Sequence, residues 1–106
     1  MKRIFLIGYM GAGKTTVGKV LSRQLGLSFI DLDHYIEGRY HKTVGQLFAE
    51  KGEDAFRDIE RRMLREVAAF EDVLVSTGGG APCFFDNMEF MNGAGQTVYP
   101  VSYTHL

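Results

Sequence analysis

The sequence predicts an α/β fold in which a parallel sheet is flanked by helices. Two observations carry that expectation. Continuous apolar runs at 4–7 and 73–75 have the pattern of strands buried on both faces, and the segments between them show apolar residues at helical spacing. A third observation is positional. The conspicuous glycine and acidic motifs follow those strands directly, at the carboxyl ends where parallel sheets bind ligands. At 106 residues the chain is long enough for one core and too short for two.

Ile4-Phe5-Leu6-Ile7, closed by Gly8, reads as the first strand. After a glycine-rich turn, Val17, Val20, Leu21 and Leu25 form one stripe of a helix that begins near Lys14 and stops at Gly26. Ser28-Phe29-Ile30 leads into Asp31-Leu32-Asp33, a short second strand carrying two carboxylates at its end, with a helix to follow. Thr43-Val44-Gly45-Gln46 is a capping-box pattern, so a helix is expected over 44–51 with Gly52 as its stop. Glu53 and Asp54 open the next helix, where acids suit the N-terminal dipole. Its stripe of Phe56, Ile59, Met63, Val67 and Phe70 predicts a run to about residue 71. The third strand, 73–76, ends in Thr77-Gly78-Gly79-Gly80, and a fourth begins at 97–99. Between them a short helix is expected near 85–91, then a turn marked by Gly93 and Gly95.

Composition narrows the function. Twelve Lys and Arg against thirteen Asp and Glu give a net charge of −1, with no basic run, so nucleic acid is not expected as a partner. The lone Cys83 cannot form an internal disulfide, which suits a reducing compartment and predicts a cytoplasmic location. The start of the chain imitates a secretory leader, but no small-x-small cleavage site follows, and cutting there would destroy the glycine motif. No stretch approaches the roughly 20 apolar residues of a membrane span. The three histidines have no metal-ligand spacing with each other or with Cys83, so zinc is not expected.

Gly8-Tyr9-Met10-Gly11-Ala12-Gly13-Lys14-Thr15 is a complete P-loop set between a strand and a helix. Its glycines let backbone N–H groups converge on the phosphates of a nucleoside triphosphate, here expected to be ATP, and the helix start adds its positive dipole. Lys14 is expected to reach the β- and γ-phosphates and the Thr15 hydroxyl to sit on Mg²⁺. Asp31 and Asp33, read as extended chain, would project to the same side about 6 to 7 Å apart. One could hold water on Mg²⁺ and the other orient or deprotonate an acceptor hydroxyl; alternatively the pair is a turn and helix cap. The third strand lacks the aspartate of an ordinary Walker B motif, which makes Asp31 the better candidate for the Mg²⁺ carboxylate. Arg57, early on its helix, could clamp a ligand carboxylate or simply pair with Glu60 at i+3. The triple glycine permits a ligand to approach the backbone closely.

The P-loop, then Asp31-x-Asp33, then Gly52-Glu53-x-x-Phe56-Arg57-x-x-Glu60, then Gly78-Gly79-Gly80, in this order, resembles shikimate kinase over residues 1 to about 99. The resemblance implies a three-layer α/β/α P-loop kinase fold and ATP-dependent phosphorylation of the 3-hydroxyl of shikimate, on the route to chorismate and the aromatic amino acids. It implies that Gly11, Ala12, Gly13, Lys14, Thr15 and Thr16 hold ATP, that Lys14 and Asp33 are catalytic, and that Thr15, with Asp31 through water, holds the metal. Asp33, Arg57 and Gly79 would bind shikimate, Phe48 and Phe56 would wall its pocket, and Glu60 would support Arg57. Shikimate is the expected partner, and the protein is expected to be a monomer without nucleic-acid or membrane partners.

Members of that family continue well past this length, with a lid arginine, a second carboxylate-binding arginine, a fifth strand and an adenine-binding loop that this sequence does not contain. The expectation is therefore a C-terminally truncated domain over 1–99, followed by an atypical, foreign tail at 100–106. Pro100, which cannot donate to a sheet ladder, marks the change. Such a chain would retain phosphate binding with little or no turnover. Another small P-loop kinase, such as a gluconate kinase, is the alternative enzyme, and a nucleotide-binding fragment without turnover the alternative to an enzyme.

Overall fold

The computed structural model describes residues 2–7, 12–77 and 86–98, with residues 12–15 described as backbone only. The predicted alternation is present: β1 (Arg3–Leu6), α1 (Ala12–Leu25), β2 (Ser28–Asp31), α2 (Leu32–Tyr40), α3 (Val44–Lys51), α4 (Glu53–Ala68), β3 (Val73–Ser76), α5 (Asn87–Ala94) and β4 (Gln96–Val98). The strands form one sheet in the order β2-β3-β1-β4, and every described pairing is parallel. The predicted tail at 100–106 and the predicted end of the fourth strand at Tyr99 lie outside the described residues.

Register explains why β1 and β3 are almost wholly apolar while β2 and β4 are not. Ile4 pairs with Leu74 on one side and Gln96 on the other, so β1 has no open edge; β3 is held between β1 and β2. Successive side chains of β1 then serve opposite faces. Phe5 and Ile7 join Val73 and Val75 in a core shared with α2 to α5. Ile4, Leu6 and Leu74 face the other way, under Val17 and Leu21 of α1. The result is the expected three layers, with α1 alone on one face among the described helices.

The capping box is formed as the sequence predicts: Gln46 N donates to Thr43 Oγ1 at 3.0 Å and Thr43 N donates to Gln46 Oε1 at 2.8 Å. Several boundaries differ from expectation, among them those of α4 and α5. Helix α4 stops at Ala68, three residues early, because the chain must reverse into β3. Asp72 takes a left-handed φ of 52° there, and its carboxylate accepts from Lys2 N at 2.9 Å. Phe70, expected on the buried stripe, lies beyond the helix, 41% exposed and edge-on to Tyr35. Helix α5 runs through Gly93, which the sequence suggests as a turn, and the reversal occurs at Gly95 alone.

Gly95 is required by proximity. A Cβ built there would lie 2.2 Å from the carbonyl oxygen of Arg3. Gly95→Ala must therefore push α5 and β4 away from β1 and is expected to cost about 1–3 kcal/mol. Urea unfolding measures it; an unchanged midpoint and slope would mean that the junction yields freely.

Candidate functional site

The order β2-β3-β1-β4 places the ends of β1, β3 and β2 side by side. α1 covers one face of the sheet and α5 the other, so the ends of β1 and β3 flank the switch point at which open parallel sheets bind ligands. The motif residues Gly8 to Gly11 and Gly78 to Gly80, including the predicted site residues Gly11 and Gly79, lie outside the described residues. Ala12, Gly13, Lys14 and Thr15 form the backbone of the first turn of α1, which leaves β1 as a phosphate-binding helix must, and Thr16 follows, exposed.

The two aspartates do not share a strand face as extended chain would give. Asp31 ends β2 and is at once the N-cap of α2, with Oδ1 accepting from His34 N at 3.2 Å. Asp33 is in the first helical turn. The correction has a local cause: with no loop residue between β2 and α2, the carboxylate at the junction is recruited to an orphan helix amide. The cap occupies one oxygen of Asp31 and turns the side chain of Asp33 into a helix direction, half-buried.

Helix α4 brings the other half. Gly52 closes α3 and opens α4 with a φ of 86°, a left-handed value that glycine adopts without strain. A single residue between the helices sets Phe48 of α3 against Phe56 of α4, ring centroids 5.8 Å apart, with Phe48 still 40% exposed. The Arg57 guanidinium lies 5.6 Å from the Phe56 centroid and donates from Nη1 to Glu60 Oε1 at 3.0 Å. The Arg57 side chain is 17% exposed and that of Glu60 is 2% exposed. Burial raises the Glu60 pKa above the ordinary carboxylate value; the Arg57 pair opposes this, and the negative charge of Asp33 adds to it. Asp33 of α2 therefore acts electrostatically on Glu60, and α2, α3 and α4 together carry an acid, a guanidinium and an aromatic pair.

Two polar clusters escaped the sequence reading. Tyr35 OH and Arg39 Nη1 of α2 both donate to Glu66 Oε2 of α4, which lowers the pKa of Glu66. Arg65 of α4 holds Asp86 and Asn87 at the start of α5. Neither has a local signal, since the partners are 21 to 31 residues apart in sequence. A cavity of about 390 Å³ bounded by Lys19, Phe29, Asp31 and His34 lies beside the Asp31 cap; Asp33, Arg57 and Glu60 take no part in its wall.

No helix among the described residues is long and apolar enough to cross a membrane. Among the same residues no three His, Cys, Asp or Glu side chains converge on a metal position.

The family model for shikimate kinase matches residues 10–102. The chain belongs to the shikimate kinase family. A shikimate kinase of Parabacteroides distasonis is 79% identical over 99 residues, covering 93% of this chain and 57% of the relative. The crystal structure of shikimate kinase from Bacteroides thetaiotaomicron superposes with a TM-score of 0.89 at 68% identity, covering 92% of this chain and 58% of that one. Shikimate kinase from Acinetobacter baumannii in complex with shikimate superposes with a TM-score of 0.87 at 41% identity, covering 93% and 55%. The chain thus spans a little over half the length of the shikimate kinases it matches.

Proposed function

We propose that this chain provides the phosphate-binding loop and the acceptor site of a kinase that transfers the γ-phosphoryl group of ATP to the 3-hydroxyl of shikimate, yielding shikimate 3-phosphate and ADP in aromatic amino acid biosynthesis. The observation that carries the reading is the buried Arg57–Glu60 pair, whose carboxylate feels the negative charge of Asp33 at the start of α2. An acceptor with a carboxylate at one end and a hydroxyl at the other fits that set. Arg57 can bind the carboxylate with a planar fork, and Asp33 can orient the hydroxyl and take its proton.

The remaining roles are those that membership of the shikimate kinase family implies for the matching positions. Backbone amides of residues 11–16 hold the phosphates, Lys14 neutralises charge at the transferred group, and the backbone N–H of Gly79 contacts shikimate. Asp31 suits Mg²⁺ because the helix cap engages Oδ1 and leaves the second oxygen for a metal-bound water; the Thr15 hydroxyl would complete the protein's share. Bound Mg²⁺ supplies charge neutralisation on the phosphates. In the transfer, the bond from γ-phosphorus to the β–γ bridging oxygen breaks as one to the acceptor oxygen forms, and the hydroxyl proton passes to Asp33. On this reading the enzyme is a cytoplasmic monomer with a small-molecule substrate and neither nucleic-acid nor membrane partners.

The test is a coupled ADP-release assay on the full-length gene product with shikimate and, separately, gluconate. Turnover of shikimate and not gluconate is expected. Turnover of gluconate alone would overturn the proposal.

A further inference from the structure

Arg65 makes contacts through both terminal nitrogens and one face of its guanidinium. Nη2 donates to Asp86 Oδ1 at 2.8 Å, while Nη1 donates to Asn87 Oδ1 at 3.3 Å and to the Arg61 carbonyl at 3.2 Å. Its central carbon lies 4.3 Å from the centroid of the Phe90 ring. Arg61 Nε adds a second cation 3.5 Å from the same Asp86 oxygen, and Asn87 is fully buried. These partners form the first turn of α5, where the described chain resumes after β3. The β3 end is fixed too: Thr77 N and Oγ1 both donate to the Leu6 carbonyl, at 3.0 and 3.3 Å.

The helix that holds Asp86 also presents Arg57 and Glu60. From Arg57 to Arg65 is about 12 Å along a continuous helix. A helix transmits a displacement at one end to the other, and errors of about 1 Å in substrate position can cost as much as 10²-fold in rate. A clamp built only to glue α5 to α4 would need one ion pair. A planar fork shared between a carboxylate and a buried amide, backed by a ring, also fixes orientation.

We propose that Arg65 is a positioning residue for the acceptor site: it registers the start of α5 against the helix that carries Arg57 and Glu60. The inference rests on the shikimate reading above.

The test uses the full-length gene product with Arg65→Ala, Arg65→Lys and Asp86→Asn, each measured for thermal midpoint and for KM of shikimate and of ATP. Arg65→Ala is expected to raise KM for shikimate about tenfold and leave KM for ATP within about twofold, because the clamp acts on the acceptor side. Arg65→Lys keeps the charge without the fork and is expected to recover part of the loss. If Arg65→Ala does not fold, Asp86→Asn carries the test, with a selective rise in shikimate KM of about threefold expected. Variants with a lower thermal midpoint and unchanged KM for shikimate, or with both KM values rising together, would reduce the cluster to packing and overturn the inference alone. A wild type inert toward shikimate would overturn the functional reading, and this inference with it.

Discussion

Arg57→Ala in the full-length enzyme is expected to lower kcat/KM for shikimate about a hundredfold, roughly 2.7 kcal/mol of transition-state stabilisation, with KM for ATP within about twofold. The side chain is held in place before any ligand arrives, by Glu60 at 3.0 Å and by the face of Phe56. A preorganised guanidinium loses little freedom when a carboxylate docks. Arg57→Lys keeps the charge but not the two parallel N–H groups and is expected to lose at least about tenfold. Steady-state kinetics with shikimate as the varied substrate decide the matter. An unchanged shikimate KM in Arg57→Ala would remove Arg57 from the acceptor site.

Glu60→Ala is expected to lower folding stability by about 3 kcal/mol, because it strips the partner from a largely buried cation and opens space in the core. Glu60→Gln retains an acceptor for Arg57 and should cost less. The two proteins also differ in pH dependence. The folded-state pKa of Glu60 is raised above 4.5, chiefly by burial, so its contribution to stability is fully present below 4.5 and is lost as pH rises through the raised value. Glu60→Gln carries no such titration. Its stability relative to wild type is expected to improve as pH rises from about 4 until the wild-type carboxylate is fully ionised. Denaturant unfolding across that range checks the sign, and a flat difference would mean that burial does not govern Glu60.

The residues most legible in the sequence were those whose chemistry depends on spacing along the chain. The capping box at Thr43 and Gln46, the glycine at 52 between two helices, and the Arg57–Glu60 pair at i+3 are local, and all were found where expected. The Asp31–Asp33 motif was legible in place but not in shape. A strand end and a helix N-cap favour the same residue type, and α2 buries only Leu32 and Ile36, too few apolar positions to announce where it begins. The Arg65 clamp and the Tyr35–Arg39–Glu66 cluster were not legible at all. In isolation their arginines and glutamates read as the solvated face of an amphipathic helix, and only the packing of α2 and α5 on α4 gives them partners. The early stop of α4 was equally hidden, since Phe70 continues the apolar spacing past the point where Asp72 turns the chain.

The strand order acts as a ruler. β3 lies between β1 and β2, so the end that feeds the phosphate loop and the end that carries the acidic pair are two interstrand spacings apart, about 10 Å. A backbone ladder is stiffer than a side chain, so the spacing of those two strand ends, which on the proposed reading carry the phosphate loop and lead into the acidic pair, is set by hydrogen-bonded peptide groups. Substitutions on the helices can tilt or loosen what is held at either end of that gap. To change its width, a mutation would have to insert or remove a strand.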